Sequence, residues 1–267
     1  MNCTRIVSAL LGLPFVILVL VLGNIYVVDI AFAIIAIMCL HEYFHAFKEK
    51  AKPVQWVGYV AAILIAFIHV IPAEFGLKVI GVIVPIIVTI LFLHVILTNM
   101  KISVKDIIVT FFGICYIALF LMFVPIIHGM ENGKILVWFI PFIAWGTDIF
   151  AYIIGRTIGK HKFSKISPNK SIEGCIGGVI GAVLLTLAFT FVMNTYFELG
   201  MSYTYIIIIS FILSIISQIG DFSASAIKRY VDIKDFSNLI PGHGGMLDRI
   251  DSVIFVAPFA YMFFMFL

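Results

Sequence analysis

The chain has 267 residues, of which 63% are hydrophobic and 12% are charged, and its mean hydropathy is +1.19. Soluble domains carry about 25% charged residues, so this composition excludes an ordinary soluble protein and indicates a surface solvated largely by lipid. The formal net charge of +3 gives no sign of a nucleic-acid partner, and none is expected. The four cysteines form no C-x-x-C pair and are interpreted as packing residues in a reducing compartment.

Nine apolar runs follow one another along the chain, at about 6–23, 27–47, 54–72, 79–98, 106–128, 135–159, 174–196, 203–220 and 252–267. A membrane-spanning helix needs roughly 20 mostly apolar residues. The runs are continuous and lack the alternation of membrane-spanning strands, so each is predicted to be a helix. The sequence therefore predicts an all-α, polytopic integral membrane protein with about nine transmembrane helices.

The distribution of basic residues predicts the orientation of these helices. If the N-terminus is cytoplasmic, 15 of the 17 Lys and Arg residues fall on the cytoplasmic side, as the positive-inside rule requires. Residues 1–130 then hold spans one to five, and residues 131–267 hold spans six to nine and are expected to be the catalytic region. The cytoplasmic loops of that region are 156–173 and 221–251, and the second carries five of the 14 acidic residues.

The end of the second run reads His-Glu-Tyr-Phe-His at 41–45, which matches the H-E-x-x-H motif of zinc proteases. On a helix this motif places two imidazoles one turn apart, with a glutamate as base. No third ligand motif of the kind expected for a membrane zinc protease follows in the sequence. A belt of His, Tyr and Phe at the membrane interface is the favoured interpretation.

The sixth run contains an aspartate, Asp148, near its middle. Placing an aspartate at the bilayer centre costs about 2.5–3.5 kcal/mol on insertion scales, so Asp148 is expected to face protein or a water-filled cavity. Tyr152 and Gly155 follow at i+4 and i+7 and share its helical face. A functional role is favoured over a hydrogen bond that only joins two helices.

A basic loop after this run reads S-P-N-K-S-I-E-G at 167–174. The ammonium group of Lys170 and the hydroxyls of Ser167 and Ser171 suit an anion near the membrane surface. Glu173 could pair with Lys170 or help to hold a cation. Read alone, the loop is interpreted as a basic linker with a helix cap. A small-residue face for close helix packing follows at Gly174, Gly177, Gly178 and Gly181.

The densest group of polar residues lies between 220 and 251. If its first part is helical, one face carries Asp221, Ser225, Lys228 and Asp232. Asp248 and Asp251 stand three residues apart where the last run begins, and the glycine-rich turn before them can present backbone N–H groups to phosphate oxygens. Carboxylates beside phosphates favour Mg²⁺, which prefers one or two carboxylates plus substrate oxygens. The alternative is a surface loop with compensating ion pairs.

This segment resembles the signature of the phosphatidate cytidylyltransferase (CDP-diglyceride synthetase) family. The signature, S-x-x-K-R-x(4)-K-D-x(5)-P-x-H-G-G-x-x-D-R-x-D, is matched by Ser225, Lys228, Arg229, Lys234, Asp235, Pro241, His243, Gly244, Gly245, Asp248, Arg249 and Asp251. The loop at 167–174 is similar to the family's S-P-x-K-[ST]-x-E-G, and Asp148 and Glu42 fall where the family carries acidic residues. One position departs, because many members read G-D-x-x-E-S and here Ala224 precedes Ser225.

The resemblance implies transfer of a cytidylyl group from CTP to phosphatidic acid, giving CDP-diacylglycerol and pyrophosphate for phospholipid biosynthesis. Asp221 and Asp248, with Asp251 assisting, are the expected ligands of one or two Mg²⁺ ions, and a monovalent ion is left open. Asp148 and Lys170 are expected to be catalytic together with Asp221 and Asp248. The residues expected to bind substrate are Ser167, Lys170, Ser171, Tyr152, Ser225, Lys228, Arg229, His243, Gly244, Gly245 and Arg249.

Within this set, Lys170 and Ser171 are expected to hold the phosphatidate head group, and Asp148 and Tyr152 to line the cavity through which lipid enters. The expected partners are CTP, phosphatidic acid and membrane lipid, and a homodimer is left open. The site is expected to face the cytoplasm from the inner or plasma membrane of a bacterium.

Two other functions fit the sequence less well. A CDP-alcohol phosphatidyltransferase would carry D-G-x(2)-A-R and two aspartates four residues apart, whereas Asp248 and Asp251 are three apart and no D-G-x-x-A-R occurs. An ion-coupled transporter would explain Asp148 and the many spans. It would also show a repeated fold with matching broken helices, which the sequence does not reveal, and it leaves the polar segment at 221–251 without a role.

Overall fold

The computed structural model describes residues 14, 16–67, 73–164, 167–240, 242 and 244–266, with the backbone alone at 73–80. The helices are α1 Ile25–Ala46, α2 Gln55–Ala66, α3 Ala73–Leu97, α4 Val104–Gly113, α5 Phe123–His128, α6 Gly133–Leu136, α7 Phe139–Ile158, α8 Ile172–Phe197, α9 Tyr203–Tyr230 and α10 Leu247–Phe264. A π-helix, Ile114–Leu119, directly follows α4 and leads to α5. Over these ranges the extended pairings are two isolated bridges, Lys162–Ser171 and Ile240–Gly244, so the all-α prediction is confirmed.

Five helical stretches are long and apolar enough to cross a membrane: Ile25–Ala46, Val104–His128, Gly133–Ile158, Ile172–Phe197 and Tyr203–Tyr230. They make the chain an integral membrane protein with several spans. The count of nine spans and the cytoplasmic N-terminus stay predictions. Half of the predicted first span, at 6–13 and 15, and the end of the third at 68–72 lie outside the described residues.

The first of two compact units comprises Met1–Gly129 and Tyr230–Arg249. In its core the rings of Tyr43 and Phe44, both on α1, are fully buried. Gly58 of α2 lies against Phe44 so closely that a Cβ atom there would stand 2.6 Å from the ring. Gly113 of α4 lies equally close to Tyr43, at 2.8 Å. Glycine thus lets the neighbouring helices pack directly on two aromatic side chains of α1.

The second unit comprises Met130–Arg229 and Ile250–Leu267. Helices α7 and α8 pack at close range, because Cβ atoms at Gly177, Gly178 and Gly181 would each stand within 2.7 Å of atoms of α7. The predicted small-residue face is therefore confirmed. Buried hydroxyls join α9 to its neighbours: Thr147 bonds Ser214 at 2.8 Å, and Thr186 donates to Ser210 at 2.7 Å.

Helix α9 is longer than the apolar run that predicted it. The run ends at 220, but the helix continues to Tyr230, so the first ten residues of the predicted loop 221–251 are helical. This stretch contains neither Pro nor Gly, and Ala, Ile, Lys and Arg favour a helix although they are less apolar than the preceding residues. The helix stops before Asp232, which has a left-handed backbone with φ +59°.

Candidate active site

An ion pair in the second unit joins two of the predicted site residues. Lys170 precedes Ser171, whose side chain caps α8 by accepting a hydrogen bond from the Gly174 N–H at 3.1 Å. Asp221 lies on α9, and its carboxylate pairs with the Lys170 ammonium group. Each of the two side chains is 22% exposed. The structure therefore brings together the lysine expected to bind lipid phosphate and an aspartate expected to bind metal.

Two aromatic rings lie beside this ion pair. The Lys170 ammonium group stands 4.8 Å from the ring centroid of Phe222, the residue after Asp221. The ring of Phe163 stacks on Phe222 with centroids 4.7 Å apart and an interplanar angle of 20°. A cation over an aromatic face is attracted by the ring quadrupole, so Phe222 helps to hold the position of the lysine.

An apolar groove of about 870 Å³ begins at the same two rings. Its walls are formed by α8 and α9, through Cys175, Ile176, Val179, Ile180, Val183, Leu184, Ile207, Ile208, Phe211, Ile212, Ile215, Gln218 and Ile219, together with Phe163 and Phe222. Asp148 and Tyr152, which were expected to line the lipid cavity, do not line this groove. Asp148 is half-buried, whereas Tyr152 is 65% exposed, and its hydroxyl accepts a hydrogen bond from Arg156 at 3.1 Å.

Glu173 holds the basic loop in place. Its carboxylate lies 2.6 Å from Nδ1 of His161 and accepts hydrogen bonds from the backbone N–H groups of Lys160 and His161 at 3.2–3.3 Å. From the sequence, the partner of Glu173 was predicted to be either Lys170 or a bound cation. The structure gives it His161 instead, and Lys170 pairs with Asp221.

The other predicted residues of the second unit lie along α9 and α10. Ser225 and Lys228 follow Asp221 at i+4 and i+7 and are half-buried, and Arg229 is exposed. Ala224 is fully buried, so the residue that replaces the family's glutamate faces packed side chains. Asp251 is buried on α10, where its carbonyl oxygen would stand 2.8 Å from a Cβ atom at Gly220. Gly220 of α9, the residue before Asp221, is therefore in close contact with Asp251 of α10.

Asp248 belongs to the first unit and is buried. Its Oδ2 atom accepts hydrogen bonds from the backbone N–H groups of Phe236, at 2.9 Å, and Gly245, at 3.0 Å. Gly242 and Gly244 have φ values of +79° and +84°, which side-chain-bearing residues rarely adopt, so this turn depends on glycine. The Gly245 N–H, predicted to face phosphate, is bound by a carboxylate of the protein.

The remaining predicted residues of this segment are Arg249, which is exposed, and His243, which lies outside the described residues. The half-buried Gly244 accepts a hydrogen bond from the Ile240 N–H at 2.8 Å through its carbonyl oxygen. The same bond closes the isolated bridge between these two residues and so ties the glycine turn to the chain before it.

Glu42 is an acid of the first unit whose role the sequence did not reveal. It is 4% exposed and accepts three hydrogen bonds, from the Ser237 hydroxyl and from the backbone N–H groups of Met246 and Leu247. An acidic residue at the end of an apolar run was the available signal. The H-E-x-x-H pattern that contains Glu42 indicates instead a zinc site or a position at the membrane interface.

The two histidines of that pattern are exposed and have other partners. Nδ1 of His41 lies 2.9 Å from the Tyr59 hydroxyl, and Nε2 of His45 lies 3.2 Å from the Lys48 ammonium group. Their rings stack with centroids 6.3 Å apart. The exposed histidines agree with an interfacial position, but Tyr43 and Phe44 are buried in the core, so the interfacial interpretation is wrong for these two rings. Because Glu42 is engaged by Ser237 and backbone N–H groups, the arrangement disfavours a zinc protease.

A divalent cation would have to be held by the carboxylates that the fold brings near one another. Across the described ranges, no three His, Cys, Asp or Glu side chains are grouped closely enough to hold a metal by themselves. Mg²⁺ needs only one or two carboxylates when substrate oxygens complete its shell. In the second unit, Asp221 and Asp251 are carried by helices that touch at Gly220, where a Cβ atom would stand 2.8 Å from the Asp251 carbonyl oxygen, and a cation held by these acids stays a prediction.

Comparison with known proteins identifies the family of this chain. The sequence profile of the cytidylyltransferase family matches residues 3–267. The phosphatidate cytidylyltransferase of Bacillus subtilis (strain 168) is 40% identical over 152 residues, which is 57% of this chain and 54% of the relative. The proteins of that name from Staphylococcus epidermidis and Haemophilus influenzae are 36% identical over 166 residues and 41% identical over 140 residues.

The Staphylococcus match covers 62% of each protein, and the Haemophilus match covers 52% of this chain and 49% of the relative. The chain thus spans about half to three-fifths of the length of these curated relatives. The family profile, in contrast, extends over nearly the whole chain, including α1 with Glu42 and both polar segments. The chain belongs to the cytidylyltransferase family.

Proposed function

We propose that this protein transfers CMP from CTP to phosphatidic acid, giving CDP-diacylglycerol and pyrophosphate. The observation that carries the proposal is the Lys170–Asp221 pair at the end of an apolar groove. A phosphate on a diacylglycerol needs a cation for its head and an apolar surface for its chains. Both features are present within one unit of the protein, and the relatives from Bacillus, Staphylococcus and Haemophilus are named for this activity.

The reaction needs positioning more than it needs a base. By analogy with phosphoserine, whose second pKa is about 6, the phosphate monoester of the lipid is largely a dianion near neutral pH. Its oxygen attacks the α-phosphorus of CTP, and the bond from that phosphorus to the bridging oxygen breaks as pyrophosphate leaves. The protein must bring two anions together and stabilise the charge that develops on the transferred phosphoryl group.

Phosphatidic acid is proposed to bind along α8 and α9. Lys170 would hold the phosphate, with Ser167 near it in the same loop, and the side chains of the groove would contact an acyl chain. Because Phe222 lies both beneath the lysine and at the end of the groove, it marks the boundary between head group and chain. Ser171 caps α8 through its hydroxyl oxygen and would thereby hold the neighbouring Lys170 in place. Its hydroxyl proton would be donated to the lipid phosphate.

The nucleotide is proposed to bind through the basic residues of the signature. Lys228, Arg229, Arg249 and His243 would contact the triphosphate and the departing pyrophosphate. Asp221, Asp248 and Asp251 would each contribute to holding one or two Mg²⁺ ions, which would neutralise phosphate charge on CTP. Asp148 stays a proposed catalytic residue, and its half-buried position in α7 agrees with a polar role inside the protein.

The site is proposed to face the cytoplasm of a bacterial cell, where CTP is made. The excess of basic residues in the predicted cytoplasmic loops supports this orientation. A homodimer stays a proposal without a specific contact to support it. A transporter is the second functional class to test, and the ion pair beside an apolar groove favours the lipid enzyme over it.

One assay separates the two classes. Purified protein in detergent micelles is given CTP and phosphatidic acid, with and without a chelator of divalent cations, and pyrophosphate release is followed. We expect release that requires both substrates and stops when the chelator is added. Protein that is folded and monodisperse but releases no pyrophosphate with Mg²⁺ present would contradict the proposal.

A further inference from the structure

Glu42 stands where two separate parts of the first unit meet. It lies in the last turns of α1, and its partners lie about 200 residues later, in the segment before α10 and at the first residue of α10. Its Oε1 atom accepts from the Ser237 hydroxyl at 2.6 Å and from the Met246 N–H at 2.9 Å, and its Oε2 atom accepts from the Leu247 N–H at 2.8 Å. The carboxylate therefore holds both ends of the loop that begins near Phe236 and ends at α10.

The approach of this carboxylate depends on glycine. A Cβ atom at Gly245 would stand 2.5 Å from Oε2 of Glu42, closer than side-chain contacts allow. Leu247 is the first residue of α10, so its N–H is one of the donors that a helix leaves without an internal partner. A buried carboxylate at this position satisfies that donor and interacts favourably with the positive end of the helix dipole.

The next residue of α10 is Asp248, one of the proposed metal-binding acids. Asp248 accepts from the Gly245 N–H, while Glu42 accepts from the N–H groups of Met246 and Leu247. Three successive backbone N–H groups are thus held by two carboxylates, and both are buried. If Glu42 released the N–H groups of Met246 and Leu247, the turn would lose the contacts that determine where α10 begins. The direction of the Asp248 side chain would change with it.

We propose that Glu42 is a positioning residue for cytidylyl transfer. It does not touch the reacting groups. It fixes the turn at 245–247, so that Asp248 presents its carboxylate to the metal and nucleotide in one orientation. This inference rests on the proposed function, and it gives the acid of the H-E-x-x-H pattern a role other than that of a zinc protease.

The test compares Glu42→Gln with Glu49→Gln. Glutamine keeps the shape of the side chain but offers one oxygen acceptor, and its NH₂ group would face a backbone N–H. Glu49 is exposed near the end of the same helix, so its substitution is a matched control. Ser237→Ala removes one of the three hydrogen bonds to Glu42, together with the bond that Ser237 accepts from the Leu239 N–H, and serves as a milder variant if Glu42→Gln fails to fold.

Three measurements are made on each variant in the same detergent. They are kcat and KM for both substrates, the Mg²⁺ concentration that gives half-maximal activity, and the hydrogen–deuterium exchange of the peptide 244–249 without metal. Partners that orient metal ligands typically contribute 10–100-fold to metal affinity or activity. We expect Glu42→Gln to lower kcat by about that range, to raise the half-activating Mg²⁺ concentration and to speed exchange in this peptide. Ser237→Ala should shift all three in the same direction but less.

The outcomes separate a positioning role from a structural one. If Glu42→Gln lowers only the thermal stability, and the folded fraction keeps the Mg²⁺ dependence and exchange of Glu49→Gln, the inference is wrong. If Glu42→Gln does not fold, Ser237→Ala decides the question. The inference is then wrong if Ser237→Ala leaves kcat, the half-activating Mg²⁺ concentration and the exchange of the peptide unchanged. Inactive wild-type protein would overturn the proposed function, and the exchange measurement would still decide whether Glu42 holds the turn.

Discussion

The two acidic regions of this protein hold their carboxylates in different ways. In the first unit, Asp248 and Glu42 are buried and bound mainly by backbone N–H groups. In the second unit, Asp221 is partly exposed and bound by the side chain of Lys170. A backbone donor can leave only if the turn unfolds, whereas a lysine side chain can rotate away. The first unit therefore holds its carboxylates in a fixed geometry, whereas the second unit holds an adaptable pair beside an apolar groove.

The largest effect is expected for Asp248→Ala. The substitution removes a proposed metal ligand and leaves two buried N–H groups without their acceptor, each costing about 1–3 kcal/mol. We expect loss of CDP-lipid formation together with a lower thermal unfolding temperature. Asp248→Asn keeps an oxygen acceptor and should restore most of the stability but not the activity. Full activity in the asparagine variant would remove Asp248 from the metal site.

Asp221→Ala should reduce activity by more than about 100-fold, which exceeds the usual effect of residues that only support metal ligands. Its stability should fall by less than that of Asp248→Ala, because Lys170, although its ammonium nitrogen is buried beside Asp221, has a partly exposed side chain that can turn towards solvent. The control is Asp232→Ala, which removes a more exposed aspartate paired with Lys50 at 3.0 Å. A loss of stability as large as that of Asp248→Ala would show that the two regions do not differ as described.

Lys170→Ala tests whether the adaptable pair binds lipid. Loss of a charged contact to phosphate is worth about 1.5–3 kcal/mol, so KM for phosphatidic acid should rise by about tenfold or more. KM for CTP should change little. Lys162→Ala, which removes an exposed lysine of the same loop, is the matched control. If KM rises for CTP and not for the lipid, Lys170 belongs to the nucleotide site.

The smallest effect is expected inside the apolar groove. Ile215→Trp adds bulk to one wall, whereas Val192→Trp adds it to an exposed position of α8 that does not line the groove. We expect the first variant alone to raise KM by a few-fold for long-chain phosphatidic acid and to leave a short-chain analogue unaffected. Equal effects of both variants would argue against an acyl chain in this groove.

The sequence predicted the class of fold and the identity of the polar segments. Long apolar runs and the glycines at 177, 178 and 181 are local signals, and the helices and the close α7–α8 contact followed from them. The end of α9 was missed because hydropathy falls at 220, while helix propensity persists to Tyr230. Hydropathy records the solvent around a segment, and it carries no information about where a helix that leaves the membrane will stop.

Pairings between distant residues could not be predicted in this way. Lys170 and Asp221 are 51 positions apart, and each has a residue of opposite charge nearer along the chain, Glu173 for Lys170 and Lys228 for Asp221. The contacts of Glu42 with Met246 and Leu247 span more than 200 positions and involve backbone donors, which every residue but proline provides. Such contacts are fixed by tertiary packing, and no spacing along the chain encodes them.

The most direct test of the proposed reaction follows the cytidylyl group itself. Purified protein is incubated with phosphatidic acid, Mg²⁺ and CTP labelled at the α-phosphorus, and the lipid fraction is extracted. We predict that label enters the lipid as CDP-diacylglycerol, in equal amount to the pyrophosphate released, and that Asp221→Ala prevents this. Label that remains in CTP, or that appears in CMP without entering lipid, would contradict the proposed transfer.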